Sequence, residues 1–219
     1  MESGRRLTEQ GKERKLQILD AAESLFASRG FGPTRIADIC EAAGVAKGLF
    51  YWYFETKDAL FAELVRSMRQ RLRRAQATAM DETADPVTRI RQGAMSSVRF
   101  MAEHMEFFAL LEGQRSAADL SAVLVESAEV YTADVERLIR EAQQTGLLPD
   151  DTDPRLAAVG VLGTVSYFSQ SLRAGRVELE VDELARFVGE WVVRALGSDI
   201  AAPPVDTAGT GGSGKLTPP

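Results

Sequence analysis

The residues that most constrain this chain are a run of eight, Lys47-Gly48-Leu49-Phe50-Tyr51-Trp52-Tyr53-Phe54, set just after Gly44-Val45. A helix over Ala46–Phe54 has only about two turns, so its aromatic rings cannot all face inward. Leu49, Phe50 and Phe54 are placed to pack. Lys47, Tyr51, Trp52 and Tyr53 are left with exposure that calls for a partner. Ahead of this run, Arg35 to about Ala43 reads as another short helix with Thr34 as its N-cap and Ile36, Ile39 and Cys40 as its apolar side. Gly44 ends it, because glycine takes the left-handed turn without steric cost. Two short helices joined by a glycine turn are the helix-turn-helix plan, in which the second helix enters the major groove of DNA.

The rest reads as helix nearly throughout. Ile18, Ala22, Leu25 and Phe26 form one face of a helix over Lys12–Arg29, with Gly30 at its C-cap. A long helix is expected from Thr56 through the Arg66–Arg74 region toward Met80. Asp85-Pro86 starts the next, carrying Ile90, Met95, Val98, Phe100 and Met101. Further helices follow over about Glu106–Gly113, Ala117–Gln144, Pro154–Ala174 and Val181–Leu196. No alternating strand pattern occurs, so the expected fold is all-α. Its parts are an arm (1–11), a three-helix DNA-binding unit (12–56), a helical regulatory and dimerisation unit (57–196) and a disordered tail (197–219) rich in Pro, Gly, Ala and Thr.

The net charge of −6 argues against DNA only until it is divided. Residues 1–74 carry 14 Lys and Arg against 10 Asp and Glu; residues 75–219 carry 12 against 22. A basic head on an acidic body suits a nucleic-acid reader fused to something else. One cysteine and one histidine preclude an internal disulfide and a Cys/His zinc cluster, and leave little for nucleophilic catalysis. No enzyme activity, cofactor or metal is expected. No apolar stretch is long enough to span a bilayer and the N-terminus lacks a signal-peptide core, which makes the expected location cytoplasmic. Gly209-Thr210-Gly211-Gly212-Ser213-Gly214-Lys215-Leu216 is close to a phosphate-binding loop, but Leu216 lacks the magnesium-ligating hydroxyl and no strand precedes it.

Tyrosine hydroxyls and lysine ammonium groups are ready donors to phosphate oxygens, and an aromatic face can meet the thymine methyl. Lys57, Thr34 and Arg35 stand close enough in sequence to join such a surface. The combined run Gly30-Phe31-Gly32-Pro33-Thr34-Arg35-Ile36-Ala37-Asp38-Ile39, Ala43–Phe54, Lys57, Ala59 and Leu60 resembles the TetR-type regulators over about Lys12–Leu60. The resemblance implies that Thr34, Tyr51, Tyr53 and Lys57 lie against phosphates, with Lys47, Gly48 and Trp52 near base edges. Leu49 stands where a small polar residue is common and offers a base no hydrogen bond.

The resemblance further implies a homodimeric repressor that binds a palindromic operator and is released by a small apolar or amphipathic effector. The last two helices would form the dimer interface, here through Leu156, Gly160, Gly163, Leu184, Val188, Trp191 and Val192. Phe100, His104, Phe107, Phe108, Tyr131, Tyr167 and Phe168 are the candidate lining of an effector cavity, since such cavities are mostly apolar. Arg66, Arg69 and Arg73, at i, i+3 and i+7, read as a solvated helix face, with a DNA-facing role as the lesser alternative. Cys40 reads as packing against the first helix. Arg5, Arg6, Lys12, Arg14 and Lys15 fit either an arm touching DNA or solubilising charge. Two rival readings are a ligand-independent or activating regulator whose body binds a protein, and a helical small-molecule carrier or enzyme.

Overall fold

The computed structural model describes residues 9–113 and 118–198, and among these it contains nine α-helices and no strand. In chain order they are α1 (Glu9–Arg29), α2 (Ile36–Ala42), α3 (Lys47–Tyr53), α4 (Lys57–Ala79), α5 (Pro86–Glu103), α6 (Met105–Gly113), α7 (Ala118–Gln144), α8 (Pro154–Arg173) and α9 (Val181–Ala195). The helical spans follow the sequence pattern closely. Helix α1 begins three residues before Lys12, so Glu9–Gly11 belong to the helix and not to an arm. Gly197 and Ser198 are also held: the Ser198 amide donates to the Val193 carbonyl (3.3 Å) and the residue is buried. The remainder of the tail and its phosphate-loop-like run lie outside the described residues, as do Arg5 and Arg6.

Local chemistry sets the boundaries. The Thr56 hydroxyl accepts the Ala59 amide at 3.0 Å and starts α4. Asp85 and Asp153 each cap a helix opened by proline, accepting the amides of Thr88 and Leu156 at 2.9 Å. Thr34 does not cap α2. The cap residue is Arg35, whose amide donates to the Asp38 carboxylate (2.9 Å), while the Thr34 hydroxyl turns back to the Gly30 carbonyl (2.7 Å). At the turn after α2, Gly44 sits at φ +63°, and the Val45 amide closes onto the Cys40 carbonyl at 2.9 Å.

Burial gathers the helices around two clusters. The first joins α1 to α4 through Ile18, Phe26, Ile39, Phe50, Leu60 and Val65, and reaches Phe100 and Phe107 on α5 and α6. Cys40 belongs to it, as its apolar neighbours suggested; burial pushes its thiol up, against the pull of Lys47. The second cluster unites α5, α7, α8 and α9 through Val98, Ile139, Val165, Leu184 and Val188. Helices α5 and α9 approach so closely that a Cβ on Gly189 would stand 2.7 Å from Met95 Cγ.

This second core corrects the expected dimer face. Leu184, Val188 and Val192 are consumed by the chain's own interior, with 0–2% exposure, because their i, i+4, i+8 stripe is the side of α9 that meets α5. Trp191 and Phe187 lie on the opposite side, ring centroids 6.3 Å apart and stacked. With Leu156, Val159 and Tyr167 of α8 they leave an exposed apolar face, along which Gly160 and Gly163 are also exposed. Leu184→Ala should therefore destabilise the fold itself by about 2–5 kcal/mol, read as a lowered urea midpoint; a stability loss below 1 kcal/mol would contradict the buried placement.

Candidate functional site

Helix α3 is held from one side and open on the other. Phe50 is fully buried, Phe54 nearly so, and their rings meet at 5.7 Å. Leu49 is half-buried. The opposite side shows Lys47 and Gly48 exposed, with Tyr51 54% and Trp52 51% accessible. An added Cβ at Gly48 would meet nothing within 4 Å, so the protein's own packing does not require glycine there. Arg35, at the start of α2, is exposed as well. Large aromatic surface turned to solvent from a firmly anchored helix marks an interaction site.

Three of the eight expected DNA-contacting residues are engaged within the chain. Thr34 is fully buried and bonded to Gly30. The Tyr53 hydroxyl donates to the Gly11 carbonyl at 2.7 Å, pinning α3 to the first turn of α1. The Lys57 ammonium donates to the carbonyls of Phe31 (2.7 Å) and Thr34 (2.9 Å), and lies 4.3 Å over the Phe31 ring. These contacts fix the turn between α1 and α2 and the start of α4. The sequence marks these side chains as donors, and the structure directs them to the chain's own carbonyls. Beside them, Lys15 pairs with Glu63, which also takes Arg66 at 3.1 Å. Burial pushes the Glu63 carboxyl up, but the two cations outweigh it and hold it below its ordinary range.

A cavity of about 550 Å³ opens farther along α4, walled by α4, α5, α6, α7 and α8. Of the seven candidate lining residues, Phe107, Phe108, Tyr131 and Tyr167 border it. Phe100, His104 and Phe168 do not. Phe100 is core, and the His104 ring meets it at 4.4 Å, tilted by 55°, beside Arg71, with burial and that arginine lowering its basicity. Phe168 turns to Phe187 at 5.5 Å. Burial pushes the Tyr131 phenol up, against the pull of Ser97.

The solvated-face reading holds for Arg66 and Arg73, which are exposed and pair with Glu63 and Asp134, and is corrected for Arg69. All three line the cavity, and Arg69 is half-buried. The available signal was its register: Val65, Arg69, Leu72 and Gln76 fall at i, i+4, i+7 and i+11, placing Arg69 inside an apolar stripe. Arg173, missed altogether, lines the same space.

Comparison with known proteins matches residues 18–64 to the bacterial regulatory proteins of the tetR family, and 83–195 to the tetracyclin repressor-like C-terminal domain. The chain belongs to the TetR family. It is similar to the HTH-type transcriptional regulator YdgC of Bacillus subtilis, 26% identical over 170 residues, which cover 74% of this chain and 82% of that protein. It is 30% identical over 99 residues to the HTH-type transcriptional repressor KstR2 of Mycobacterium tuberculosis, spanning 45% of this chain and half of that relative. A TetR-like transcriptional regulator from Rhodococcus sp. RHA1 superposes with a TM-score of 0.65 at 26% identity, covering 88% of this chain and 99% of that one. This TetR-family chain is thus a helix-turn-helix transcriptional regulator with the family's all-helical architecture. Among the described residues no helix is long and apolar enough to cross a membrane, and no group of metal-ligating side chains occurs.

If Tyr53 and Lys57 serve to hold the DNA-reading helices, removing their bonds should show without DNA. Tyr53→Phe should cost about 1 kcal/mol and Lys57→Met about 2–3 kcal/mol in chemical denaturation of the free protein. Unchanged midpoints in both variants would show that these contacts carry no weight.

Proposed function

We propose that this TetR-family regulator is a repressor that binds a palindromic operator as a homodimer and is released when a small molecule fills the α4–α8 cavity. The observation that carries the reading is the one-sided anchoring of α3: Phe50 and Phe54 are buried while Lys47, Gly48, Tyr51 and Trp52 face outward. In this reading those four, with Arg35, meet DNA. Arg35 and the Tyr51 hydroxyl donate to phosphates, Lys47 and Trp52 lie against base edges, and Gly48 lets the backbone approach closely. Thr34, Tyr53 and Lys57 position them.

The division of labour places DNA reading in residues 12–56 and regulation and dimerisation in 57–196, in the cytoplasm. The dimer face is Leu156, Val159 and Tyr167 on α8 with Phe187 and Trp191 on α9, whose exposed apolar surface suits a self-complementary contact. Gly160 and Gly163, also exposed, allow close helix approach there. Twofold symmetry then sets two α3 helices about one or more turns of DNA apart. Repression follows the sign of the relative KstR2, a named repressor.

Selection from a random DNA pool, followed by footprinting, should recover a palindrome whose binding falls steeply with salt; only weak, sequence-independent binding would overturn the reading. Two variants sharpen it. Gly48→Ala should keep or raise stability, by up to about 1 kcal/mol, while weakening operator binding, because Ala favours the helix but its methyl group occupies the DNA side. Trp191→Glu should convert the dimer to monomers in sedimentation and lose operator binding with it. A Trp191→Glu protein that remains dimeric would remove this face from the interface.

A further inference from the structure

The α4–α8 cavity is apolar along most of its wall, with Val65, Met68, Leu72, Met101, Phe107 and Leu111 on its surface. Its charged lining is lopsided: among the described residues it holds four arginines against a single acid, Glu112. Three of those arginines have acidic partners. Arg66 pairs with Glu63 (3.1 Å), Arg73 with Asp134 (2.9 Å) and Arg173 with Glu112. Arg69 has no hydrogen-bond or ion-pair partner among the described residues. Burial lowers its pKa to about 10, which still leaves it cationic at neutral pH.

Arg173 is only partly satisfied. Its side chain is nine-tenths buried and one nitrogen goes to Glu112, but Nε and Nη1 are buried without a partner. Its guanidinium lies 5.7 Å over the Phe108 ring, in the same wall. A guanidinium carries five donors in a planar fork matched to carboxylate and phosphate oxygens. Leaving such donors buried and unpaired is costly, so this wall favours a ligand that brings acceptor oxygens.

We propose that this cavity binds an amphipathic organic anion, whose oxyanion head is received by Arg69 and the unpaired donors of Arg173 and whose apolar body lies against Met68, Leu72 and Phe107. The proposal rests on reading the cavity as the effector site. A cationic ligand would meet Arg69 with repulsion. A neutral apolar ligand would strip that guanidinium of water and leave it unpaired. An anion compensates both arginines at once.

The test uses the full chain without DNA and matched probe sets that share one apolar body: dodecanoate, dodecyl phosphate and dodecanol, then 2-naphthoate and 2-naphthalenemethanol. Titration calorimetry should give at least one anion about tenfold or more tighter than its alcohol. Tighter dodecanoate than dodecyl phosphate would assign a carboxylate head, and the reverse a phosphate monoester. Arg69→Met should abolish the preference, and Arg69→Lys should restore much of it. Arg69→Met should also raise the melting midpoint of the empty protein, by ~2–4 °C, since an unpaired cation leaves the wall. Equal binding of anions and alcohols, no binding of any probe, or a preference unchanged in Arg69→Met would overturn the proposal. Because no DNA enters the measurement, its failure leaves operator recognition standing. Failure of operator selection would likewise leave an observed anion preference intact.

Discussion

The ammonium of Lys57, donating to the carbonyls of Phe31 and Thr34, fastens the first residue of α4 to the turn that sets α1 against α2. Those carbonyls follow Gly30 and have no helical partner of their own, and a lysine supplies several donors from one point. Once that corner is closed, Phe26, Phe31 and Phe61 pack ring against ring between 5.1 and 5.8 Å. The core so formed carries α2 and α3 as one unit, with Tyr53 tied to Gly11 at its far edge. The exposed side of α3 owes its orientation to this internal framework.

The same α4 that begins at this corner goes on to wall the cavity, so one element belongs to both halves of the molecule. Its sides differ in what they meet. Leu60 and Val65 complete the first core, Gln76 reaches the Ser97 hydroxyl on α5 at 2.8 Å, and Arg69 is left against open space. Behind it, α5 is clamped to α9 over a backbone approach that only Gly189 tolerates without displacing Met95. The body is thus closely packed at the α5–α9 pair, and the cavity lies toward α4 and α6.

Much of this was legible in the sequence. Helical periodicity, glycine stops and Asp-Pro starts gave each helix to within a few residues, because those signals are local. The exposed side of α3 was legible for a similar reason: too many rings stand on too short a helix. Partner choice was not legible. The stripe Leu184, Val188, Val192 announces that one side of α9 is buried, but periodicity does not say whether α5 or a second chain covers it. Thr34 and Tyr53 carry hydroxyls that suit phosphate and backbone carbonyl alike, and only the three-dimensional path of the chain brings Gly30 and Gly11 within reach. Arg69 was obscured by its neighbours: Arg66 and Arg73 make a charged row of it in sequence, while Val65 and Leu72 make an apolar one in space.

Lys57 and Arg69 are twelve residues apart on one unbroken helix, about 18 Å along its axis. A ligand that draws Arg69 toward it therefore pulls on the same rod whose first residue holds the α1–α2 corner. Such a connection runs in both directions. If, as proposed, a bound anion lowers operator affinity by some factor, the operator must lower anion affinity by the same factor. A promoter-bound molecule of this protein would thus sense its ligand at a higher concentration than one free in solution, and the response threshold would depend on how many operators are occupied.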